Sequence, residues 1–197
     1  MPNNTKKYFL QEFIKISSKI GINEEALETT SAKIYNHPKG YVDDFYFGIS
    51  DVVREVESMM DEELGKIQEI RETKSITEKI RICLYDRALS QDHDFAKKLG
   101  SYYKSFKGMQ QFFAAKASTC DYIWRIAGDK SLDFNYYSKR ALLLGVYLSA
   151  NREFIKSGNK ESTKKTIDKG LEKVLKLSKF KPSIILEKIP FVRLMVK

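Results

Sequence analysis

The chain has 197 residues, 42% of them hydrophobic, with only four prolines and a formal net charge of +9. That is enough material for one domain with a real core, and the balance favours helix over sheet, so the fold class expected is all-α. Cys83 and Cys120 stand far apart with no second Cys or His at ligand spacing, which excludes a disulfide scaffold and a zinc module and reads as two small buried hydrophobes in a reducing compartment.

The charge is unevenly placed. Residues 152–197 carry 13 Lys or Arg against 5 Asp or Glu, whereas residues 1–151 carry 22 against 21. A cationic C-terminal quarter suits a polyanion, either nucleic acid or an anionic membrane surface; a solubilising Lys-rich face is the plain alternative. The opening residues hold no uninterrupted apolar h-region and no small-residue cleavage site, and no run reaches the roughly 18 apolar residues needed to span a bilayer. A cytoplasmic protein, at most peripherally attached to the inner membrane, is therefore expected. The sequence lacks a phosphate-cradling glycine loop, a HExxH pair and any Cys-His or Ser-His-Asp arrangement supported by position. No enzyme, cofactor or metal is expected.

In chain order, Phe9, Phe13, Ile16 and Ile20 give one face of a helix over 5–20, which Gly21 stops. Asn23 caps a second helix, with Glu24 and Glu25 in its first turn. His37 stands beside Pro38 and reads as a turn residue. A long helix is expected from Tyr41 to about Met60, with Phe45, Ile49, Val52, Val53 and Val56 inward and Gly48 in its middle. Residues 61–75 are charged and weakly patterned, a short helix or a linker. Ser75 or Thr77 caps the next helix, whose Ile76, Ile80, Cys83, Leu84 and Ala88 repeat as a core face. Gln91 to Asp94 place carboxylates around His93, but neighbouring helical residues point apart, and Asp92 or Asp94 is better explained as an N-cap.

Phe95, Tyr102, Tyr103, Phe106, Phe112 and Phe113 make the stretch to Ala117 aromatic. With Met109, Trp124 and the helix that follows, they wall an apolar cavity or fill a helical core; pattern alone favours the core. At Gly128 a left-handed terminus closes one helix near Ala127, and Asp129, Ser131 or Asp133 caps another that begins near Asp133. In that helix Phe134, Tyr137, Ala141, Leu144 and Leu148 are spaced 3, 4, 3 and 4, a coiled-coil-like seam for packing against other helices. A polar break at Ser157, Gly158 and Asn159 precedes a last helix over 161–179, striped by Ile167, Leu171, Val174 and Ser178 with lysines around it.

The stretch from Asp121 to Tyr147, DYIWRIAGDKSLDFNYYSKRALLLGVY, resembles the signature of the ubiquinone-biosynthesis accessory lipid-binding proteins, the ninth protein of the coenzyme Q pathway. Asp121, Ile123, Trp124, Ala127 to Asp129, Ser131, Asp133 to Asn135, Tyr137, Ser138 to Ala141, Leu143, Val146 and Tyr147 carry it. Tyr136 departs, standing where many members have Trp. The resemblance extends from about Ile76 to Leu177.

The resemblance implies a TetR-like helical bundle in which residues 1–60 form a degenerate helix-turn-helix region. Residues 61–181 would be the ligand-binding and dimerisation helices, and residues 182–197 a membrane-docking tail. From Asn23 to Gly40 there are too few residues for both a full second helix and a recognition helix, so direct reading of bases is not expected. The resemblance also favours the cavity, holding a phospholipid or polyprenyl quinone intermediate against Tyr103, Phe106, Met109, Phe113, Trp124, Tyr137 and Leu144. It places a patch for demethoxyubiquinone hydroxylase on Asn135, Tyr136, Tyr137, Lys139 and Arg140, although Lys139 and Arg140 could equally anchor Asp129 internally. By analogy a homodimer is built from 133–155 and 161–179.

In the tail, Ile184, Ile185, Ile189, Phe191, Val192 and Met195 supply apolar anchors and scattered basic residues supply attraction to an anionic leaflet, the two signals that peripheral attachment needs. Folding of the tail back onto the protein or a dimer mate is the alternative. Nucleic acid is not an expected partner; a TetR-like DNA-binding regulator remains the second functional reading, and it needs positive charge at the N-terminus rather than at the other end.

Overall fold

The computed structural model describes residues 3–130 and 134–178. Every regular element among them is helical: α1 (Asn3–Ile20), α2 (Glu24–Tyr35), α3 (Ile49–Leu64), α4 (Gln68–Glu72), α5 (Ile76–Leu89), α6 (His93–Tyr102), α7 (Phe106–Ile126), α8 (Phe134–Ser157) and α9 (Lys160–Ser178). Local chemistry sets most boundaries. Gly21 ends α1 at φ 98°, a conformation that costs glycine little. Asn23, Ser75, Asp92 and Ser105 each accept a backbone N–H from the first turn of α2, α5, α6 and α7, satisfying one of the donors every helix start leaves open.

The helix expected from Tyr41 begins only at Ile49. Residues 41–47 run through turns, with Phe45 N donating to Tyr41 O at 2.8 Å. Gly48 takes φ 58°, ψ −127° at the N-cap of α3, and Phe47 N donates to the Asp51 carboxylate at 2.7 Å. Gly48 is thus a hinge between turn and helix, not a mid-helix residue. Phe45 reaches the core from the turn, beside Val52, Val53 and Val56 of α3, so the inward set was right although the backbone carrying it was not helical throughout.

Two apolar clusters organise the molecule. Phe9, Phe13, Leu27, Phe45, Val52, Val56, Phe95 and Leu99 tie α1, α2, α3 and α6 together. Leu64, Ile80, Cys83, Leu84, Ile123, Leu143, Val146, Tyr147, Phe154, Ile167 and Leu171 join the end of α3 to α5, α7, α8 and α9. Burying each such side chain contributes about 1.5–3 kcal/mol. Both cysteines are buried. Ile76, expected in the core, is half exposed at the start of α5. Gly170 lets α9 close on α8: a Cβ there would lie 2.8 Å from Val146 Cγ1.

The core face of α8 is Leu143, Val146, Tyr147, Ala150 and Phe154, whereas Tyr137 and Ala141 of the expected seam are exposed and Leu144 and Leu148 only half buried. Within one copy of the chain the seam is therefore split: Tyr137 and Ala141 face outward, while Leu144 packs at the edge of the core.

Replacing Gly48 with alanine should cost roughly 1–3 kcal/mol in urea unfolding, the usual penalty for a side chain held in such a conformation. The space itself is free, because the nearest atom to a Cβ there is Leu27 Cδ2 at 3.7 Å; an unchanged midpoint would mean that the turn relaxes.

Candidate functional site

The junction of α7 and α8 is closed by a latch. Gly128, at φ 91°, lets its own N–H reach Arg125 O and the Asp129 N–H reach Trp124 O, both at 3.0 Å, the paired bonds of a Schellman ending. Arg140 then crosses the junction. Its Nε donates to Asp121 Oδ1 at 2.6 Å and its Nη1 to Asp129 Oδ2 at 3.2 Å and Tyr136 O at 3.1 Å. The guanidinium lies 3.4 Å from the Tyr136 ring centre, close enough for a cation–π contact. Tyr136 OH donates to Asp121 at 2.8 Å, and Lys139 Nζ to Asp129 at 2.8 Å while standing 5.4 Å over the Trp124 ring. Burial pushes the Asp121 carboxyl up, but the bonds from Arg140 and Tyr136 and the charge of Arg125 outweigh it and hold it below the usual carboxylate range.

The choice left open for Lys139 and Arg140 is therefore settled within the chain: both anchor Asp129. Tyr136 is likewise committed to Asp121. Of the described side chains expected to form a partner patch, Tyr137 is the one that stands out, 71% exposed with its ring edge-on to Tyr136. Asn135 lies in the first turn of α8.

Between the two apolar clusters sits a buried group of charges that the sequence reading missed. Arg87 of α5 donates from Nε to Asp61 Oδ1 at 2.7 Å and from Nη2 to Glu57. Lys116 of α7 places Nζ 2.8 and 3.0 Å from the two Glu57 oxygens. Tyr103 OH adds a 2.6 Å bond to Glu57, and Thr119 Oγ1 lies 3.0 and 2.9 Å from the Asp61 oxygens. All six residues are buried, and two carboxylates face two cations. Burial pushes Glu57 up, yet Lys116 and Arg87 override it and hold its carboxyl down at about 2. For Asp61 burial wins over Arg87 and raises the carboxyl above its ordinary value, and burial likewise lowers Lys116. The visible signal was a charge in apolar phase: Arg87 falls beside Leu84 and Ala88, and Lys116 one turn after Phe112 and Phe113.

The residues expected to hold a lipid separate into two groups. Tyr103 points inward to Glu57, and Trp124 is half buried under Lys139. Met109 and Phe113, one turn apart on α7, are 48% and 52% exposed, Tyr137 is exposed and Leu144 is half buried on α8. Phe106 lies in the first turn of α7. A hollow of about 560 Å³ between α3 and α7 has Glu57 and Asp61 in its wall together with Arg54, Gln111, Ser118 and Arg125, and among the described side chains none of the expected lipid contacts lines it. Among the described residues no cluster of His, Cys, Asp or Glu could hold a metal. His93 packs edge-on to Phe154, with Nε2 3.2 Å from Ile155 O. The tail residues Ile184, Ile185, Ile189, Phe191, Val192 and Met195 lie outside the described residues, as do Ser131 and Asp133.

Two measurements check this geometry. Lys116→Met leaves Glu57 short of a buried partner and should cost about 3–5 kcal/mol; with Glu57→Gln added, the double variant should lose clearly less than the two single losses combined, by more than about 0.5 kcal/mol. Additive losses would show that the pair does not act as a unit. Because Asp121 is held below its ordinary value, the latch contributes fully above the unfolded carboxylate range and is lost as pH falls through the lowered value. Asp121→Asn should therefore flatten the acid limb of a stability-versus-pH curve, and an unaltered limb would remove Asp121 as its source.

Comparison with known proteins adds a family. The COQ9 family matches residues 109–178. The chain is also similar to the probable ubiquinone biosynthesis protein coq9, mitochondrial, of Dictyostelium discoideum, with 38% identity over 66 residues. That alignment takes in 32% of this chain and spans 22% of the relative's length. The matched segment contains the latch, Tyr137 and both α8 faces, and over it the chain is similar to the COQ9 family.

Proposed function

We propose that this protein is a non-catalytic accessory factor in ubiquinone biosynthesis that binds a phospholipid or polyprenyl quinone intermediate, attaches to a membrane surface and presents the lipid to demethoxyubiquinone hydroxylase. The observation that carries the reading is the coincidence of the COQ9 segment with a rigid latch that spends Tyr136, Lys139 and Arg140 internally and leaves Tyr137 standing at the surface. Holding one aromatic out on a locked frame is how a docking anchor is made without an ordering penalty. Met109 and Phe113 offer the apolar surface on which a prenyl or acyl chain rests.

No helix among the described residues is long and apolar enough to cross a membrane. Attachment is assigned to the apolar and basic segment 182–197, next to α9, whose exposed lysines at 165, 169, 173 and 176 favour an anionic leaflet. The concentration of charge at this end, and not on α1 and α2, speaks against the DNA-binding reading.

Tyr137→Ala should keep the far-UV circular dichroism of the parent and lose binding to the hydroxylase by at least about tenfold, or about 1.4 kcal/mol. A form ending at Lys181 should keep hydroxylase binding and lose flotation with anionic liposomes. Native mass spectrometry of the full chain should show bound isoprenoid or phospholipid. A lipid-free protein indifferent to liposomes would move the function toward protein scaffolding.

A further inference from the structure

We infer that the turn between α2 and α3 is a docking surface for an arginine-bearing segment of another protein. The inference does not rest on the lipid reading above. Val42, Tyr46 and Phe47 project from this turn, 42%, 79% and 71% exposed, and the two rings meet edge-on with their centres 5.1 Å apart. Their neighbours Tyr41 and Phe45 point the other way and are buried in the first apolar cluster. The turn is thus anchored by one set of aromatics and shows the other to solvent. An edge-on pair leaves ring faces open, and ring faces attract cations.

The turn is held from several sides, so a partner arriving there has little disorder to remove. Tyr35 OH donates to Asp44 at 2.6 Å, and Ser31 Oγ accepts the Tyr41 N–H at 3.1 Å while donating to His37 O at 2.7 Å. The Phe47 N–H donates to the Asp51 carboxylate at 2.7 Å, and Gly48 N donates to Phe45 O at 2.9 Å. None of these bonds uses the side chain of Tyr46 or Phe47. The two rings contribute little to holding the turn, and their use is outside the protomer.

The charge around the rings selects the partner. Residues 22–48 carry five Asp or Glu against two Lys or Arg, in a chain whose net charge is +9. Both lysines are already committed, Lys33 to Glu12 and Lys39 to Glu28. Asp43, next to Val42, and Glu24 and Glu25, in the first turn of α2, are exposed and form no ion pair among the described residues. The start of α2 borders the turn, because the Glu24 charge acts on Lys39 and Leu27 lies 3.7 Å from a Cβ placed on Gly48. An acidic rim repels nucleic-acid phosphates and an anionic leaflet alike. It attracts a cationic peptide, and a planar guanidinium stacks on a ring while bonding a carboxylate, which an ammonium does less well. The turn opens onto the Gln111 end of α7, whereas Asp121 and the latch lie toward the other end. The two surfaces therefore do not compete.

The test uses the isotope-labelled full chain and three synthetic amphipathic helical peptides, built from leucine with arginine, with lysine or with glutamate. The arginine peptide should bind more tightly than the lysine peptide and shift the amide signals of Val42, Asp43, Tyr46 and Phe47 most; the glutamate peptide should not bind. The Tyr46→Ser, Phe47→Ser double variant should keep the parent's thermal midpoint and lose affinity for the arginine peptide by about tenfold or more. Asp43→Lys carries the same test without removing either ring: it should weaken binding and flatten its dependence on salt. Shifts centred elsewhere, equal binding of the glutamate peptide, no binding at millimolar concentration, or an affinity untouched by these substitutions overturns the inference. So does a double variant that loses flotation with anionic liposomes or departs from the parent's sedimentation, because the rings would then serve a membrane or a second copy. None of these readouts depends on lipid or hydroxylase binding, which the Tyr137→Ala and truncated forms report separately.

Discussion

Four charged side chains buried together constrain how the rest of the protein is assembled. Glu57 and Asp61 stand one turn apart on α3, and Arg87 and Lys116 come to them from α5 and α7. An unpaired charge at such depth would cost several kcal/mol, so each of these helices has one position and one rotation in which the account balances. Packing alone would leave the two apolar clusters free to slide, since hydrophobic contact has no direction. The ion group has direction. It fixes α3 parallel to α7, with Ser50 opposite Gln111 at one end and Asp61 opposite Thr119 at the other.

Once α7 is placed, the latch places α8. Arg140 reaches both aspartates because the Schellman turn at Gly128 folds Asp129 back toward Asp121. Rotation of α8 about its axis is then settled, and with it which of two apolar seams turns inward. The seam through Leu143, Val146, Tyr147, Ala150 and Phe154 meets α5, α7 and α9, while Tyr137 and Ala141 are left at the surface and Leu144 packs at the edge of the core. The matched stretch therefore reads as a frame: Asp121, Asp129, Tyr136, Lys139 and Arg140 hold the helix, and Tyr137 is what the frame presents.

This division explains how far the sequence was readable. Caps and stops, such as Asn23, Asp92, Gly128 and the Ser157–Asn159 break, were legible because the interactions involved are local and short. The start of α3 was not, since YVDDFYFG has helical periodicity and only the hinge at Gly48, with the Asp51 cap, diverts it. The seam of α8 was recognised as a packing surface, but which apolar face the protomer buries was not legible, because a helix with two apolar faces carries no local mark of it. The buried pairing of Arg87 and Lys116 with Glu57 was not anticipated, because partners 30 or 59 positions apart leave no spacing to read. The candidate site was legible as a stretch, but the internal roles of Tyr136, Lys139 and Arg140 required the fold.

The same geometry relates the presented surfaces to one another. Gly170 packs on Val146 and Ser162 bonds Glu153, so α9 runs antiparallel to α8 and its end at Ser178 comes level with Ser138, beside Tyr137. Ser178, the last described residue, thus stands at the pole where the latch holds its exposed aromatic. A membrane-attached segment starting there would keep that pole close to the bilayer, and a partner meeting Tyr137 would have to work at the membrane surface too.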